Sequence, residues 1–415
     1  MRYTDVAIVG GGLSGSTAAA MLGHAGVSAL LIDPHSVYPP ELRCEKLGGE
    51  QLDLLRKTGL ADATLRATTL DGEVWEARFG YVVAKKPSDQ HGVLYDTLVN
   101  TVRAQIPANV ETIRAKAAAI SNSPERQKVV LSNGEEILAL LANGLNIGLR
   151  HTLGIQRRVI SECHSITLGF DVAPVGRAAF GFPALTYWPK RSSSRMAYLS
   201  IFPIGGAMRA NLMVYREMTD PWLSRFRQAP EETMRALMPG LQRMMGEFKV
   251  GGPIKIRPAD LYVAEGHLQP GIVLVGDAFS TSCPAAGTGT TKVFTDVERL
   301  CNVYIPNWLA TDGMDAQKIA EFYDDPVKTA CEARCLAKAY HLRSLSIDNG
   351  LSWRAGAGHV LSCDCLKARG YRSASGFPPD QFHANWPRND PHIPDTAGSR
   401  KPIDTARKLE RTEGI

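Results

Sequence analysis

Residues 5–33 constrain the fold of this chain more than any other segment. They read DVAIVGGGLSGSTAAAMLGHAGVSALLID: an apolar run, a glycine-rich turn, an alanine-rich stretch and a second apolar run that ends in an acid. Gly10, Gly12 and Gly15 have the G-x-G-x-x-G spacing, in which the first glycine permits a tight turn, the second lets the backbone approach a pyrophosphate and the third lets helix and strand pack closely. The segment predicts the βαβ unit of a dinucleotide-binding α/β fold.

Two further features of this unit point to its ligand. Leu13, Ser14 and Gly15 open the predicted helix, and the free backbone amides at such an end bind phosphate well. Asp33 ends the second strand, where it can accept hydrogen bonds from an adenosine ribose, which favours a cofactor without a 2′-phosphate. FAD and NAD both satisfy this pattern, so the segment alone leaves the choice between them open.

A second glycine-rich segment, residues 271–300, favours FAD. It reads GIVLVGDAFSTSCPAAGTGTTKVFTDVERL, in which Ile272–Val275 predict a buried strand and Thr290–Leu300 predict a helix. An acid after the strand can accept hydrogen bonds from ribityl hydroxyls, and amides at the helix N-terminus can face the pyrimidine edge of a flavin and favour its anionic reduced form. The predicted cofactor-binding residues of this segment are Gly276, Asp277, Pro284, Gly287, Thr288, Gly289 and Thr290.

Together the two segments resemble the para-hydroxybenzoate hydroxylase-like flavoproteins, which are single-component FAD monooxygenases and their relatives. The second motif of that family, G-D-A-x-x-x-x-x-P-x-x-G-x-G before a helix with D-x-x-x-L, is matched here by residues 276–300. The match has three departures. Phe279-Ser280 stands where most members have a histidine, Thr291 replaces the usual asparagine, and Lys292 follows it.

The third motif of the family, implicated in binding both FAD and NAD(P)H, resembles residues 138–155 (LALLANGLNIGLRHTLGI). Asn143 stands in place of the family's aspartate, so the turn can be kept but the charge is lost. The resemblance therefore leaves open whether NADH, NADPH or a partner reductase reduces the flavin. It also places Arg43 near the FAD pyrophosphate, which a guanidinium fits in a bidentate manner.

The resemblance implies an α/β protein in which a Rossmann-like FAD-binding domain is interleaved with an antiparallel-sheet substrate domain. The predicted FAD-binding domain comprises residues 1–70, 90–160 and 270–335, and the predicted substrate domain comprises residues 71–89 and 161–269. A C-terminal helical segment (336–366) and an extended tail (367–415) follow. Strands are expected within 73–84, 163–172, 196–202 and 210–214, and helices within 221–247 and 312–347.

One face of the predicted antiparallel sheet, laid over the flavin, would form an apolar substrate chamber. Its aromatic residues are the candidates for substrate contacts, although such residues more often pack the core. These candidates are Tyr187, Trp188, Tyr198, Phe202 and Tyr215. The sequence shows no nucleophile constellation, paired carboxylates or metal-ligand cluster, so we name no catalytic side chain and predict no metal.

The function that the resemblance implies is that of an FAD-dependent monooxygenase, an oxidoreductase that hydroxylates a small aromatic or other electron-rich, lipophilic substrate with NAD(P)H and O2. In the family the reduced flavin forms a C4a-hydroperoxide that transfers its distal oxygen. Two alternatives stay open: a reductase or halogenase-like enzyme of the same fold that receives electrons from a partner, and a non-catalytic FAD-binding subunit. Against the halogenase, the predicted insertion contains no W-x-W-x-I-P run.

Composition argues against other classes of protein. The 415 residues carry a formal net charge of only +5 without a basic stripe, so nucleic-acid binding is not predicted. The first predicted strand begins close to Met1, and no apolar run reaches the roughly 20 residues of a membrane helix. These features predict a cytoplasmic protein without a membrane span. The spacing of the eight cysteines is typical neither of a disulfide framework nor of a zinc module. The sequence leaves open whether the protein forms a homodimer.

Overall fold

The structure is a computed structural model that describes residues 2–143, 147–190 and 194–347. The predicted tail (367–415) lies outside these ranges, as does the part of the predicted helical segment beyond Ile347. Among the described residues, no helix is both long enough and apolar enough to cross a bilayer.

The elements of the described ranges are numbered in chain order. The strands are β1 (Arg2–Val9), β2 (Ala29–Ile32), β3 (Lys46–Leu47), β4 (Thr69–Arg78), β5 (Tyr81–Gly92), β6 (Glu111–Ile113), β7 (Ala117–Asn122), β8 (Gln127–Leu131), β9 (Glu136–Asn143), β10 (Gln156–Pro174), β11 (Ala184–Trp188), β12 (Met196–Ile204), β13 (Ala207–Val214) and β14 (Phe248–Glu265). The helices are α1 (Leu13–His24), α2 (Glu50–Lys57), α3 (Ala61–Arg66), α4 (Tyr95–Arg103), α5 (Ile147–Thr152), α6 (Pro221–Gln228), α7 (Pro230–Leu237), α8 (Leu241–Met245), α9 (Gly289–Arg299), α10 (Ile305–Leu309), α11 (Ala316–Tyr323) and α12 (Pro326–Ile347).

A small sheet with the strand order β6-β2-β1-β9-β8-β7 contains the predicted dinucleotide-binding unit. β1 pairs in parallel with β2 and β9, and α1 connects β1 to β2. Val6–Val9 and Ala29–Ile32 are buried throughout because the sheet is covered on both faces, as is usual for parallel strands. The βαβ unit that the glycine spacing predicts is therefore confirmed.

A large sheet has the strand order β14-β10-β13-β12-β11-β4-β5-β3 and is antiparallel except between β11 and β4. The strands predicted within 73–84, 163–172, 196–202 and 210–214 all belong to it, and α6, α7 and α8 confirm the predicted helices of 221–247. β10 already begins at Gln156, so the proposed domain boundary at residue 161 falls inside a continuous strand.

The two faces of the large sheet pack against different parts of the molecule. Leu168, Leu199 and Leu212 belong to a buried cluster that includes α6–α8, and we call this side the outer face. The alternate residues of the same strands point the other way. On that inner face, Arg209 and Tyr198 contact residues 41–46 and the loop that precedes α9. The inner face therefore covers the glycine-rich segments.

One predicted strand is wrong as a sheet element. Ile272–Val275 is buried as expected, but no ladder is formed by these residues; only an isolated bridge joins Ile272 to Gln269. The backbone of Leu274 bonds instead to the hydroxyl of Tyr323, at 2.8 Å from its N–H and 3.2 Å from its carbonyl. A side chain from α11 thus satisfies polar groups that a neighbouring strand was expected to satisfy.

Residues 41–46 (ELRCEK), which we call the charged connection, join the small-sheet half to the large sheet. Each of its charged side chains pairs with a different element. The pairs are Glu41 with Arg257 at 3.0 Å, Arg43 with Asp277 at 2.6 Å, Glu45 with Arg209 at 2.9 Å and Lys46 with Asp71 at 2.8 Å. The segment is therefore fixed by side-chain charges rather than by a long backbone ladder.

The pair between Glu45 and Arg209 is the most deeply buried member of this set. Two nitrogens of the Arg209 guanidinium donate to the two carboxylate oxygens of Glu45, both at 2.9 Å, and the side chains are 8% and 2% exposed. Burial alone would lower the pKa of Arg209, but Glu45 and Asp171 raise it above its usual value. Removing one member of such a pair leaves a buried charge without compensation.

We predict that Arg209→Met lowers the free energy of unfolding by about 3–5 kcal/mol, the usual cost of removing one partner from a buried ion pair. Arg56→Met is the matched control, because Arg56 pairs with Asp53 at the surface, where both side chains are more than half exposed. Such surface pairs contribute about 1 kcal/mol or less. Urea unfolding of both variants measures the difference, and equal losses would contradict the assignment.

Candidate cofactor and substrate site

The first glycine turn has the geometry that its sequence predicts. β1 ends at Val9, Gly10 takes a φ of 108°, and α1 begins at Leu13 without a side-chain cap on its first turn. A Cβ atom on Gly15 would lie 1.9 Å from the carbonyl oxygen of Gly10, so only glycine allows this approach of helix and turn. No described atom lies within 4 Å of a Cβ built on Gly10, which leaves space beside the free amides of the helix.

Asp33 lies at the tip of β2 beside this turn. Its carboxylate accepts hydrogen bonds from the backbone N–H groups of Gly11 at 2.7 Å and His35 at 2.8 Å. Arg103, which the sequence did not single out, lies 3.1 Å from the same carboxylate. The acid is therefore held at the predicted place, but it is not a free carboxylate.

The second glycine-rich segment meets the first. A Cβ on Gly276 would lie 2.7 Å from the hydroxyl oxygen of Ser14, so the two motifs are in contact. α9 begins at Gly289, close to the predicted start, and Thr288 at its N-cap makes no side-chain cap. The loop before it is anchored by Gln51, whose side chain donates to the carbonyl of Gly287 at 2.8 Å. Both helix N-termini therefore carry amides without side-chain acceptors.

Asp277 and Arg43, predicted separately as cofactor residues, are brought together. Arg43 donates to Asp277 at 2.6 Å and pairs with Glu41 at 2.8 Å. Burial alone would lower the pKa of Arg43, but Glu41 and Asp277 raise it above its usual value. The side chain of Asp277 is still 36% exposed, so one carboxylate can bond to Arg43 and to a ligand at once.

Two of the positions that depart from the family motif, Lys292 and Ser280, contact each other. Lys292 is 3% exposed and donates to the carbonyl of Ser280 at 2.6 Å. Lys328 is fully buried and bonds Asp296 at 3.1 Å and Glu332 at 2.5 Å. Burial would lower the pKa of Lys328, but the two carboxylates raise it. Asp296 also accepts the N–H of Gly276 at 2.8 Å, so this charge network holds the start of the Gly-Asp turn. The spacing of Lys328 and Glu332 on a predicted helix was the available sequence signal.

The predicted pocket aromatics separate into two groups. Trp188 and Tyr198 lie on the inner face with ring centroids 5.5 Å apart, and the Tyr198 hydroxyl donates to the carbonyl of Ala285 at 2.8 Å. Phe202 lies on the same face, 4.8 Å beneath the ammonium group of Lys46. These three aromatic residues lie on the side of the sheet that covers the glycine-rich segments.

Two of the predicted pocket aromatics are placed differently. Tyr187 lies on the outer face, 1% exposed, and its hydroxyl donates to the carbonyl of Pro239 at 2.7 Å. It is a core residue and does not line the inner face. Tyr215 lies just beyond β13, with the guanidinium of Arg343 from α12 5.7 Å from its ring centroid. It therefore packs under α12 rather than at the centre of the sheet.

On the inner face, the indole nitrogen of Trp188 and the amide oxygen of Asn211 are buried and have no hydrogen-bond partner among the described residues. Asn211 is 5% exposed and lies across from Ser200 on β12 and Gly169 on β10. Leaving such an atom unsatisfied costs about 1–3 kcal/mol. A ligand or bound water is therefore expected at this part of the face.

The residues present fit a dinucleotide that carries a flavin. No described atom lies within 4 Å of a Cβ built on Gly287 or Gly289, which leaves a cradle in front of α9. The hydroxyls of Thr17 and Thr288 are buried without a partner in the described part of the chain. Free amides at α1 suit a pyrophosphate, and free amides at α9 suit an anionic ring edge.

Comparisons with known proteins agree with this fit. A family model described as an FAD binding domain matches residues 3–136. The chain is 26% identical to 3-demethoxyubiquinol 3-hydroxylase from Escherichia coli (strain K12), over 73% of this chain and 80% of that protein. It is 25% identical to 2,4-dichlorophenol 6-monooxygenase from Cupriavidus pinatubonensis, over 71% of this chain and 54% of that protein.

Solved structures share the fold. The p-nitrophenol 4-monooxygenase from Pseudomonas putida DLL-E4 superposes with a TM-score of 0.67 at 17% identity, covering 88% of this chain and 96% of that chain. Aklavinone-11 hydroxylase, solved with FAD and aklavinone, gives 0.65 at 18% identity over 83% and 69%. A flavin-dependent brominase gives 0.63 at 15% identity over 89% and 96%.

We predict that Gly289→Val weakens FAD binding without harming the fold. No described atom lies within 4 Å of the new Cβ, so the protein accommodates the side chain, which instead occupies the space in front of α9. A lost hydrogen bond to a buried group costs about 1–3 kcal/mol, so we expect FAD affinity to fall by about tenfold to a hundredfold. Gly181→Val is the control, since its Cβ also meets no described atom.

Flavin fluorescence titration and thermal unfolding of both variants test this prediction. If Gly289→Val bound FAD with unchanged affinity, the flavin would not bind in front of α9, and this prediction would be wrong.

The two glycine-rich segments thus meet beneath one face of a large sheet, at a cradle whose free amides and buried hydroxyls suit FAD. The matched FAD-binding domain, the hydroxylase relatives and the shared fold lead to the same conclusion. The chain therefore carries an FAD-binding domain and has the fold of the flavin monooxygenases that it resembles.

Proposed function

We propose that this protein is an FAD-dependent monooxygenase that hydroxylates a small aromatic or other electron-rich, lipophilic substrate, with NAD(P)H as reductant and O2 as co-substrate. The observation that carries the proposal is the inner face of the large sheet. There the indole nitrogen of Trp188 and the amide oxygen of Asn211 are buried without a partner among the described residues. Such a reaction needs a largely apolar pocket beside the cofactor, with a few polar atoms that orient the substrate. The inner face covers the cofactor loops and offers such atoms.

The bound flavin would supply the redox and oxygen chemistry, and the protein would supply binding, orientation and exclusion of water. The free amides of α9 would stabilise negative charge at the pyrimidine edge of the flavin, since a helix N-terminus carries roughly half a positive charge. Asp277 would accept from ribityl hydroxyls while Arg43 holds its orientation. Leu13 and Ser14 would present their backbone amides to the pyrophosphate.

The spacing of the two unpartnered atoms suits a small ring. Trp188 lies on β11 and Asn211 on β13, two strands away on the same face. Asn211 is level with Thr186, two residues before Trp188, so their Cα atoms are roughly 12 Å apart. Trp188 can only donate a hydrogen bond and the Asn211 oxygen can only accept one. A phenol-like molecule that donates its hydroxyl hydrogen to the Asn211 oxygen and accepts the Trp188 N–H through a second polar substituent would satisfy both atoms.

The relatives support the same class of reaction. The names of the two relatives describe hydroxylation of a quinol-type compound and of a chlorinated phenol, and the first structural neighbour is named for a nitrophenol. The choice of NADH, NADPH or a partner reductase rests on residues near Asn143, the last residue of β9. Asn143 stands there in place of the family's aspartate, so a nicotinamide cofactor would meet a neutral side chain at that position.

The experiment that tests the proposal is stopped-flow reduction of the FAD-loaded protein by NADH and by NADPH, with and without a panel of phenols, followed by mixing with oxygen. We expect one phenol to accelerate flavin reduction and to yield its hydroxylated product. Reduction by neither nicotinamide, together with turnover when reduced flavin is supplied and halogenated product in the presence of bromide, would favour the halogenase-like alternative. Absence of any flavin reduction or product formation would contradict the proposal.

We predict that Asn211→Leu raises KM for the accepted substrate by about tenfold to a hundredfold, because one hydrogen bond to a buried group is lost at a cost of about 1–3 kcal/mol. FAD affinity should stay unchanged. Tyr187→Phe is the matched control. It removes a hydroxyl from the neighbouring outer face, where the bond to Pro239 is structural, so stability should fall while KM should not move. A KM that responds to Tyr187→Phe and not to Asn211→Leu would reverse the assignment of the two faces.

A further inference from the structure

Arg103, the last residue of α4, joins the glycine turn to the tip of β2. Its Nε atom donates to the carbonyl of Gly11 at 2.9 Å, and its Nη1 atom donates to the carbonyl of His35 at 2.8 Å. Its Nη2 atom lies 3.1 Å from the carboxylate of Asp33. The side chain is only 11% exposed, so one planar guanidinium connects three positions around the predicted adenosine site.

Gly11 shows how closely this guanidinium lies against the turn. A Cβ atom on Gly11 would be 2.1 Å from Nη2 of Arg103 and 2.9 Å from its Cζ. Gly11 is not one of the three fingerprint glycines, and its φ is not in the left-handed region. An added side chain at this position would therefore displace the Arg103 guanidinium, whereas the backbone conformation itself does not demand glycine.

The bonds of Asp33 show what Arg103 does for the acid. The carboxylate is 9% exposed, and a buried charge of this kind requires a partner. A carboxylate has about four lone-pair sites. The N–H groups of Gly11 and His35 occupy two of these sites, so about two are left for ribose hydroxyls. Arg103 lies 3.1 Å away as an ion-pair partner and thus compensates the charge of Asp33.

We propose that Arg103 is a positioning residue of the FAD site, which holds Asp33 and the glycine turn in the geometry that binds the adenosine half of the cofactor. The proposal depends on FAD binding and not on the monooxygenase reaction. Arg103 acts through Asp33 and Gly11. Its loss should therefore affect ligands that contain the adenosine diphosphate half and should leave interactions of the flavin half unchanged.

The test uses two variants that break the same contact from opposite sides. Arg103→Gln removes the charge and the guanidinium, and Gly11→Ala places a methyl group where the guanidinium lies. The Gly11 Cβ points at Arg103 and not into the space above Gly10, so it does not itself fill the cofactor cradle. FAD and ADP-ribose are the probes, and their dissociation constants are measured on the deflavinated full-length protein. Asp277→Asn is the control on the flavin half.

We expect each variant to weaken binding of FAD and of ADP-ribose by about tenfold, the size of one lost charge-assisted interaction. The double variant should be no weaker than the weaker single variant, because both remove one contact. Asp277→Asn should weaken FAD and leave ADP-ribose unchanged. Unchanged FAD affinity in both single variants, or additive losses in the double variant, would overturn the proposal.

A purely structural role predicts a different pattern. Both single variants would then lower the midpoint of thermal unfolding of the cofactor-free protein, and Arg103→Lys, which keeps the charge, would restore that midpoint and FAD affinity together. That outcome would also overturn the proposal. It would leave the monooxygenase reaction untouched, since that reaction is tested separately by product formation.

Discussion

The buried ion pair between Glu45 and Arg209 is the interaction on which the rest of the site depends. It lies between the charged connection and the inner face of the large sheet, and both side chains are less than a tenth exposed. The neighbouring pairs of Glu41, Arg43 and Lys46 reach β14, the Gly-Asp turn and β4. One short segment therefore sets the distance between the cofactor loops and the sheet that covers them. A site that must exclude water needs this distance to be fixed.

Local sequence patterns predicted most of the fold. The turn at Gly10 and the start of α9 follow from glycine spacing and helix signals, which act over a few residues. The strands of the large sheet and the helices α6–α8 follow from hydrophobic periodicity. The extended segment Ile272–Val275 was predicted as a strand because it is apolar, but its backbone partner is Tyr323, 49 residues away from Leu274. No local pattern shows such a partner.

The candidate site was predicted less completely than the fold. Tyr187 and Trp188 are adjacent aromatic residues, and the large sheet is covered on both faces, so alternation alone does not show which of them faces the cofactor. Asn211 was missed because a single polar residue in a strand carries no chemical signal until its burial is known. Arg103 was missed for a similar reason, since its contacts with Gly11 and Asp33 join residues 92 and 70 positions apart.

The most direct test of the account is isotope labelling during turnover of the FAD-loaded protein with NAD(P)H, an accepted phenol and ¹⁸O₂. If a flavin held between the glycine-rich loops and the inner face transfers the oxygen, the new hydroxyl group carries ¹⁸O. Mass spectrometry of the product decides the matter. A hydroxylated product whose new oxygen comes from water, or consumption of ¹⁸O₂ that yields only peroxide with every phenol tried, would contradict the account.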